Sequence, residues 1–134
     1  MPTIYVARSI KAGKWASDVG LGKHLYKLGV TDGDPKEQAA AGWAGETDWS
    51  IVKAEPVEGF DEDQAIDRLA AKERMIDPNL YPKLKGARGV FRLNPVKVEN
   101  HFVVARALAG ENELKAVKLK PADFATYLIA NAKR

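Results

Sequence analysis

His24-Leu25-Tyr26-Lys27-Leu28-Gly29-Val30-Thr31, followed at once by Asp32-Gly33-Asp34-Pro35-Lys36-Glu37, is the stretch on which the fold turns. Leu25, Tyr26, Leu28 and Val30 favour a pleated, half-buried strand, and Gly29 marks a point of close backbone approach. Asp34 is placed to cap a helix, with Pro35 in its first turn and Glu37 three residues on to complete a capping box. Because side chains alternate along a strand, Lys27, not Tyr26, shares a face with Gly29.

Outward from that stretch, Thr3-Ile4-Tyr5-Val6-Ala7 reads as a short strand with Tyr5 on the face opposite Ile4 and Val6. Residues 8–23 are weakly periodic and rich in glycine, which suits a loop or a short helix. Gly20-Leu21-Gly22-Lys23 is only superficially like a phosphate loop, which needs a longer glycine gap and a Ser or Thr after the lysine. Downstream, a helix from Pro35 is expected to stop at Gly42, with a turn over 43–48. A strand then runs from Trp49 to Ala54. Phe60 stands as a staple ahead of Asp61, which caps a helix carrying Glu62 and Asp63 in its first turn. Ile66, Leu69 and Ala70 are its buried stripe, and it is expected to reach about Arg74.

A loop over 76–88 leads to a fourth strand, Gly89-Val90-Phe91-Arg92-Leu93. Asn94 caps a helix with Pro95 at its first position, closed by Gly110. Leu114–Leu119 reads as a lysine-studded edge strand. A last helix starts near Pro121 and buries Phe124, Tyr127 and Leu128.

The chain has 134 residues, 46% of them hydrophobic, enough for one proper core. It contains no cysteine, which removes disulfides, thiolate metal sites and thiol nucleophiles and suits a reducing compartment. No run has the apolar length of a membrane span, and Met1-Pro2-Thr3-Ile4 lacks the pattern of a secretory signal, so a cytoplasmic location without membrane contact is expected. Net charge is +3, but residues 8–36, 37–67 and 68–134 carry +3, −8 and +8. Basic flanks point to an anionic partner such as nucleic acid, and the acidic centre either holds a divalent cation or balances the field. Solvated helix faces explain such bias about as often.

Taken in order, Ile4-Tyr5-Val6, then Tyr26-Lys27-Leu28-Gly29, a helix, a strand, an acid-led helix and Gly89-Val90-Phe91-Arg92-Leu93 resemble the GIY-YIG nuclease superfamily. The likeness is to its phage and bacterial branch, whose second motif reads Tyr-Lys-Ile-Gly. It implies an α+β fold: a small, mostly antiparallel sheet flanked by helices. Residues 1–109 would form that domain, with an insertion at about 8–23, and 110–134 would add a strand-helix extension on the same core. The implied activity is endonucleolytic phosphodiester hydrolysis with Mg²⁺ or Mn²⁺. The resemblance places Tyr5, Lys27 and Glu62 as catalytic residues, with Glu62 as metal ligand. A shift of one position offers Asp63 and Asp67 instead, although Glu62 shares the stripe of Ile66 and Leu69.

The arginine that the resemblance expects early in the helix after the second motif falls on Gln38, with Lys36 beside it. Nucleic-acid contacts, DNA first, are expected from Lys11, Lys14, Lys23, Lys36, Gln38, Lys83, Lys85 and Arg88, with Arg92 beside them. The alternative is a catalytically silent module of that fold that binds nucleic acid or a protein. Asp61, Glu62 and Asp63 also read simply as complements to the helix dipole. His24 and His101 read as ordinary packed or surface residues, and Trp15, Trp43 and Trp49 as core or turn anchors before base-stacking platforms.

Overall fold

Alternation along the first two chain segments builds the centre of the molecule. In a computed structural model that describes residues 2–22, 24–59, 61–76, 80–84, 88–108 and 119–133, β1 (Thr3–Arg8) pairs antiparallel with β2 (Leu25–Thr31), Tyr5 lying opposite Gly29. β3 (Ser50–Pro56) joins the far side of β1, and β5 (Val90–Arg92) joins β2. β4 (Arg74–Met75) closes the sheet in the order β3-β1-β2-β5-β4, with every pair antiparallel. The fold is α+β.

Each sheet face is buried under helices. On one, Ile4, Val6, Tyr26, Leu28 and Phe91 pack against Ala65, Ile66 and Leu69 of α3 (Glu62–Ala70) and Phe124, Leu128 and Ile129 of α5 (Pro121–Ala132). On the other, Ala7, Leu25 and Val90 meet Ala12 and Ala16 of α1 (Ile10–Asp18), Ala39 of α2 (Pro35–Ala41), and Trp49 and Leu84. The period of two in β1 and β2 sends Ile4, Val6, Tyr26 and Leu28 to the α3/α5 side. It leaves Tyr5, Lys27 and Gly29 on the α1/α2 side.

The segment read as loop or short helix is a helix, α1, because Ser9 caps it by accepting from Ala12 N–H at 3.0 Å. Asp34 caps α2 through Lys36 N–H at 2.9 Å, but the expected capping box is not formed with Glu37 among the described residues. The full box belongs to α3, where Asp61 and Gln64 exchange bonds of 2.9 and 3.0 Å. The stop of α2 falls at Gly42 as expected. Its φ of +83°, and a Glu46 carbonyl 2.3 Å from where a Cβ would stand, leave room only for glycine.

Several boundaries differ from expectation. The strand expected from Trp49 to Ala54, ahead of Pro56, runs instead over Ser50–Pro56, with Pro56 paired to Thr3, a place for proline that an edge strand allows. The helix expected to reach Arg74 ends at Ala70, because Arg74 and Met75 pair with Arg92 and Phe91 instead and Ile76 N–H reaches Val90 O at 2.9 Å. Sheet pairing outweighs continuation of an amphipathic stripe whose last buried member is Leu69. The strand expected over 89–93 is accordingly the fifth, and shorter. Inside the expected loop, Pro82–Leu84 forms a single 3₁₀ turn that buries Leu84.

Asn94 caps α4 (Pro95–Leu108) by accepting from Val96 N–H at 3.0 Å. This helix buries Val98, whereas Val96, Val104 and Leu108 are exposed. Phe60, Gly110 and nearly all of the expected 114–119 strand lie outside the described residues, as do Lys23 and Lys85. Among the described residues no helix is long and apolar enough to cross a membrane.

Candidate functional site

Gly29 is the floor of the site. Its Tyr5 partner on β1 lays the phenol across it, so that a Cβ on Gly29 would stand 2.4 Å from Tyr5 Oη and 2.8 Å from Glu62 Oε1. Any side chain there would collide with both oxygens. Close approach of a phenol and a carboxylate to one Cα is the physical reason for glycine at this position.

Glu62 arrives from the other side of the sheet. β5 pairs with β2 only as far as Lys27, where Val90 is the partner, and Leu28 N–H then finds Gly89 O at 2.9 Å. Beyond that the β2 edge is open, and Val30 N–H donates to Glu62 Oε1 at 3.2 Å. The first residue of α3 thus reaches round the edge that β5 leaves uncovered. Its carboxylate meets the α1/α2 face beside Tyr5.

Lys27 completes the cluster. It is 4% exposed, donates from Nζ to Arg88 O at 3.0 Å, and lies 4.9 Å over the Trp43 ring. Burial pushes its ammonium below the ordinary lysine value, with the Glu62 carboxylate pulling the other way. Burial, and then the Glu62 charge, push the Tyr5 hydroxyl well above the usual phenol value. Both shifts register Glu62 in the same small volume. Tyr5, Lys27 and Glu62, singled out on three separate elements, therefore converge.

Trp43 is the member that sequence reasoning passed over as an anchor. Its ring stacks on Tyr5 at 6.0 Å between centroids and 18° between planes, beneath the Lys27 ammonium. Trp49 backs it edge-on at 5.5 Å and donates from Nε1 to Trp43 O at 2.9 Å. No sequence signal marked it: the turn with Gly42 and Ala44 both at positive φ brings the indole against Tyr5 of β1.

The acids next to Glu62 do something else. Arg88 pairs through its guanidinium with Asp63 and Asp67, both largely exposed on α3, so that register puts Asp63 outside the Tyr5 cluster. Lys83 is held by Glu46 at 2.9 Å and faces the Trp15 ring at 6.0 Å. Lys11 and Lys14 are exposed on α1, and Lys36 and Gln38 are exposed on α2, whose buried residue is Ala39. The structure brings none of these last four into the cluster.

Nothing matches this chain. That holds for protein-family models, for curated proteins and for solved structures alike. The chemistry of the site is therefore read from its own donors. Glu62 offers a hard carboxylate oxygen of the kind Mg²⁺ and Mn²⁺ take, and Mg²⁺ is commonly held by one or two carboxylates with water and substrate phosphate as its other ligands. Among the described residues no three His, Cys, Asp or Glu side chains gather to hold a metal, and Glu62 is the carboxylate that reaches Gly29 and Tyr5.

Proposed function

We propose that this chain is a GIY-YIG-like nucleic-acid-binding domain that hydrolyses phosphodiester bonds with a divalent cation held by Glu62. The observation that carries the reading is the packing of Tyr5 Oη and Glu62 Oε1 against one glycine, with the Lys27 ammonium on the same face. When bound, the cation supplies Lewis-acid stabilisation of charge on phosphoryl oxygens. Tyr5 is the group placed to hold or move a proton at its Oη. A phenol is protonated at neutral pH in any case, and burial with the Glu62 charge makes the phenolate harder still to form, so Tyr5 acts as a donor unless positive charge is brought beside it. Lys27 provides a fixed positive point charge, and Trp43 keeps water from its flank.

A second reading, a silent module that binds nucleic acid or a protein, is favoured by two observations. Tyr5 and Lys27, both against Trp43, are 3% and 4% exposed, and the expected arginine position holds the neutral, exposed Gln38. A missing charge donor costs a transition state about 3 kcal/mol.

The deciding assay is nicking of DNA and RNA substrates with Mg²⁺ or Mn²⁺, comparing the wild type with Tyr5→Phe and Glu62→Ala. Cutting that needs the metal and vanishes in both variants supports the nuclease reading. Cutting that survives in both would put the site elsewhere. Salt-sensitive binding with no cutting selects the silent module.

A further inference from the structure

Two clefts of about 550 and 600 Å³ adjoin at the β4–β5 end of the sheet, sharing Leu21, Glu73, Arg74 and Arg92 as a common wall. Arg74 and Arg92 are direct cross-strand partners. Residues directly opposite in an antiparallel pair place their side chains on one face, so the two arginine side chains leave the sheet from adjacent positions, a like-charge pairing that destabilises a sheet by itself. No described carboxylate pairs with either of them.

The one acid in the wall is engaged: Glu73 is buried, accepts from the Tyr127 hydroxyl, and pairs with Lys97 at 3.1 Å. Lys97 and Asn94, from the first turn and the cap of α4, line the same cleft, so the positive end of that helix adds to the field.

We propose that Arg74 and Arg92 form a binding site for a phosphate group, distinct from the Tyr5–Lys27–Glu62 cluster. Two planar guanidiniums supply paired donors matched to phosphate oxygens, and a dianion or diester between them removes the repulsion that the bare pair carries. The site lies on the same sheet face as Lys27, two residues further along: Val90 is paired with Lys27, and Arg92 with Leu25. At about 3.4 Å per residue that backbone offset is near 7 Å, and the buried Leu25 and Val90 stand between the two positions, so the arginine pair is a separate site. A phosphodiester backbone and a free phosphate share this chemistry, and the assay separates them.

Arginine Nε–Hε signals, together with the Leu93 and Asn94 amides, are followed by heteronuclear NMR while inorganic phosphate is added at constant ionic strength. Saturable shifts at Arg74 and Arg92 that are absent with chloride, and lost in Arg74→Gln/Arg92→Gln, are expected. No saturable shift, or one that persists in the double variant, overturns the site. In a parallel arm a labelled short single-stranded oligonucleotide is bound by wild type and double variant. An affinity loss of about tenfold with a shallower salt dependence identifies a phosphodiester backbone as the ligand. Unchanged oligonucleotide affinity with intact phosphate shifts identifies a small phosphate. Folding is controlled within the same variant, because relief of the like-charge pair leaves its Tm at or above wild type in phosphate-free buffer; a lower Tm there would show that the arginines are structural and overturn the proposal.

Discussion

Gly29 has no freedom to change. A methyl group there must displace the Tyr5 phenol, itself held by Trp43, or pull Glu62 off Val30 N–H. Gly29→Ala is therefore expected to cost about 1–3 kcal/mol, the range for forcing extra volume into a packed site. Urea denaturation checks it, and a loss under 0.5 kcal/mol, as estimated for neutral surface changes, would mean that the phenol swings aside freely. Lys27 is the opposite case, a group the fold tolerates at a cost. Burial lowers its pKa, so the unfolded chain holds that proton more tightly than the folded one. The resulting penalty is full below the folded pKa and is relieved as pH climbs from there to the unfolded value of about 10.4. Relative to Lys27→Met, wild-type stability should rise with pH across that alkaline window, and chemical melts at stepped pH read it. The same variant should match or exceed wild type in stability at neutral pH, since a buried charge with few partners gives way to an apolar chain of similar length. At this scale the sequence was largely readable. A period of two puts Lys27 and Gly29 together and sends Tyr26 to stack on Phe124. Trp43 was not readable, because its direction depends on a positive-φ turn that sequence periodicity does not encode.

Among the elements, α3 decides where the carboxylate goes. Its start was legible, since Asp61 and Gln64 form the reciprocal cap that an acid-led helix needs. Its end was not. Arg74 and Met75 continue an amphipathic pattern yet are drawn into the sheet by a strand about fifteen residues further on, a non-local pairing invisible to a local window. Asp61→Ala should lower stability by about 1 kcal/mol, the usual worth of a cap. If Glu62 serves the reaction, the same change should depress metal-dependent cutting more than a loss of that size explains, because fraying at the cap releases Glu62 first. Equal activity at a temperature where both proteins are fully folded would show that Glu62 keeps its place without the cap. The brevity of β5 was equally unforeseen, and it is what opens the β2 edge to Glu62.

Across the molecule, α5 ties the α3 side together. Phe124 is stacked between His24 at 4.8 Å and Tyr26 at 5.2 Å, while Tyr127 reaches the buried Glu73 and the ring of His101 at 5.1 Å. Its buried residues were legible from helical spacing. That they cover the reverse of the strands bearing Tyr5 and Lys27 was not, because nothing local tells a terminal helix which face it will close. Phe124→Ala should cost about 3–5 kcal/mol by cavity formation, seen as a large drop in Tm. Tyr127→Phe should cost about 1 kcal/mol or somewhat more by removing the hydroxyl's bond to the buried Glu73 carboxylate, which is then left, among the described residues, to Lys97 alone. Burial, the Glu73 hydrogen bond and the Glu73 charge all raise the Tyr127 pKa, so this hydroxyl's stabilisation is complete below the unfolded value of about 10 and is lost as pH rises through the folded one.

One oxygen of Glu62 stands in for a missing rung of the β-ladder at Val30. Any cation drawing on that carboxylate must compete with a main-chain amide, so occupancy and edge protection become linked quantities. Deuterium uptake at the Val30 amide is thus a built-in gauge of loading, readable with no substrate present.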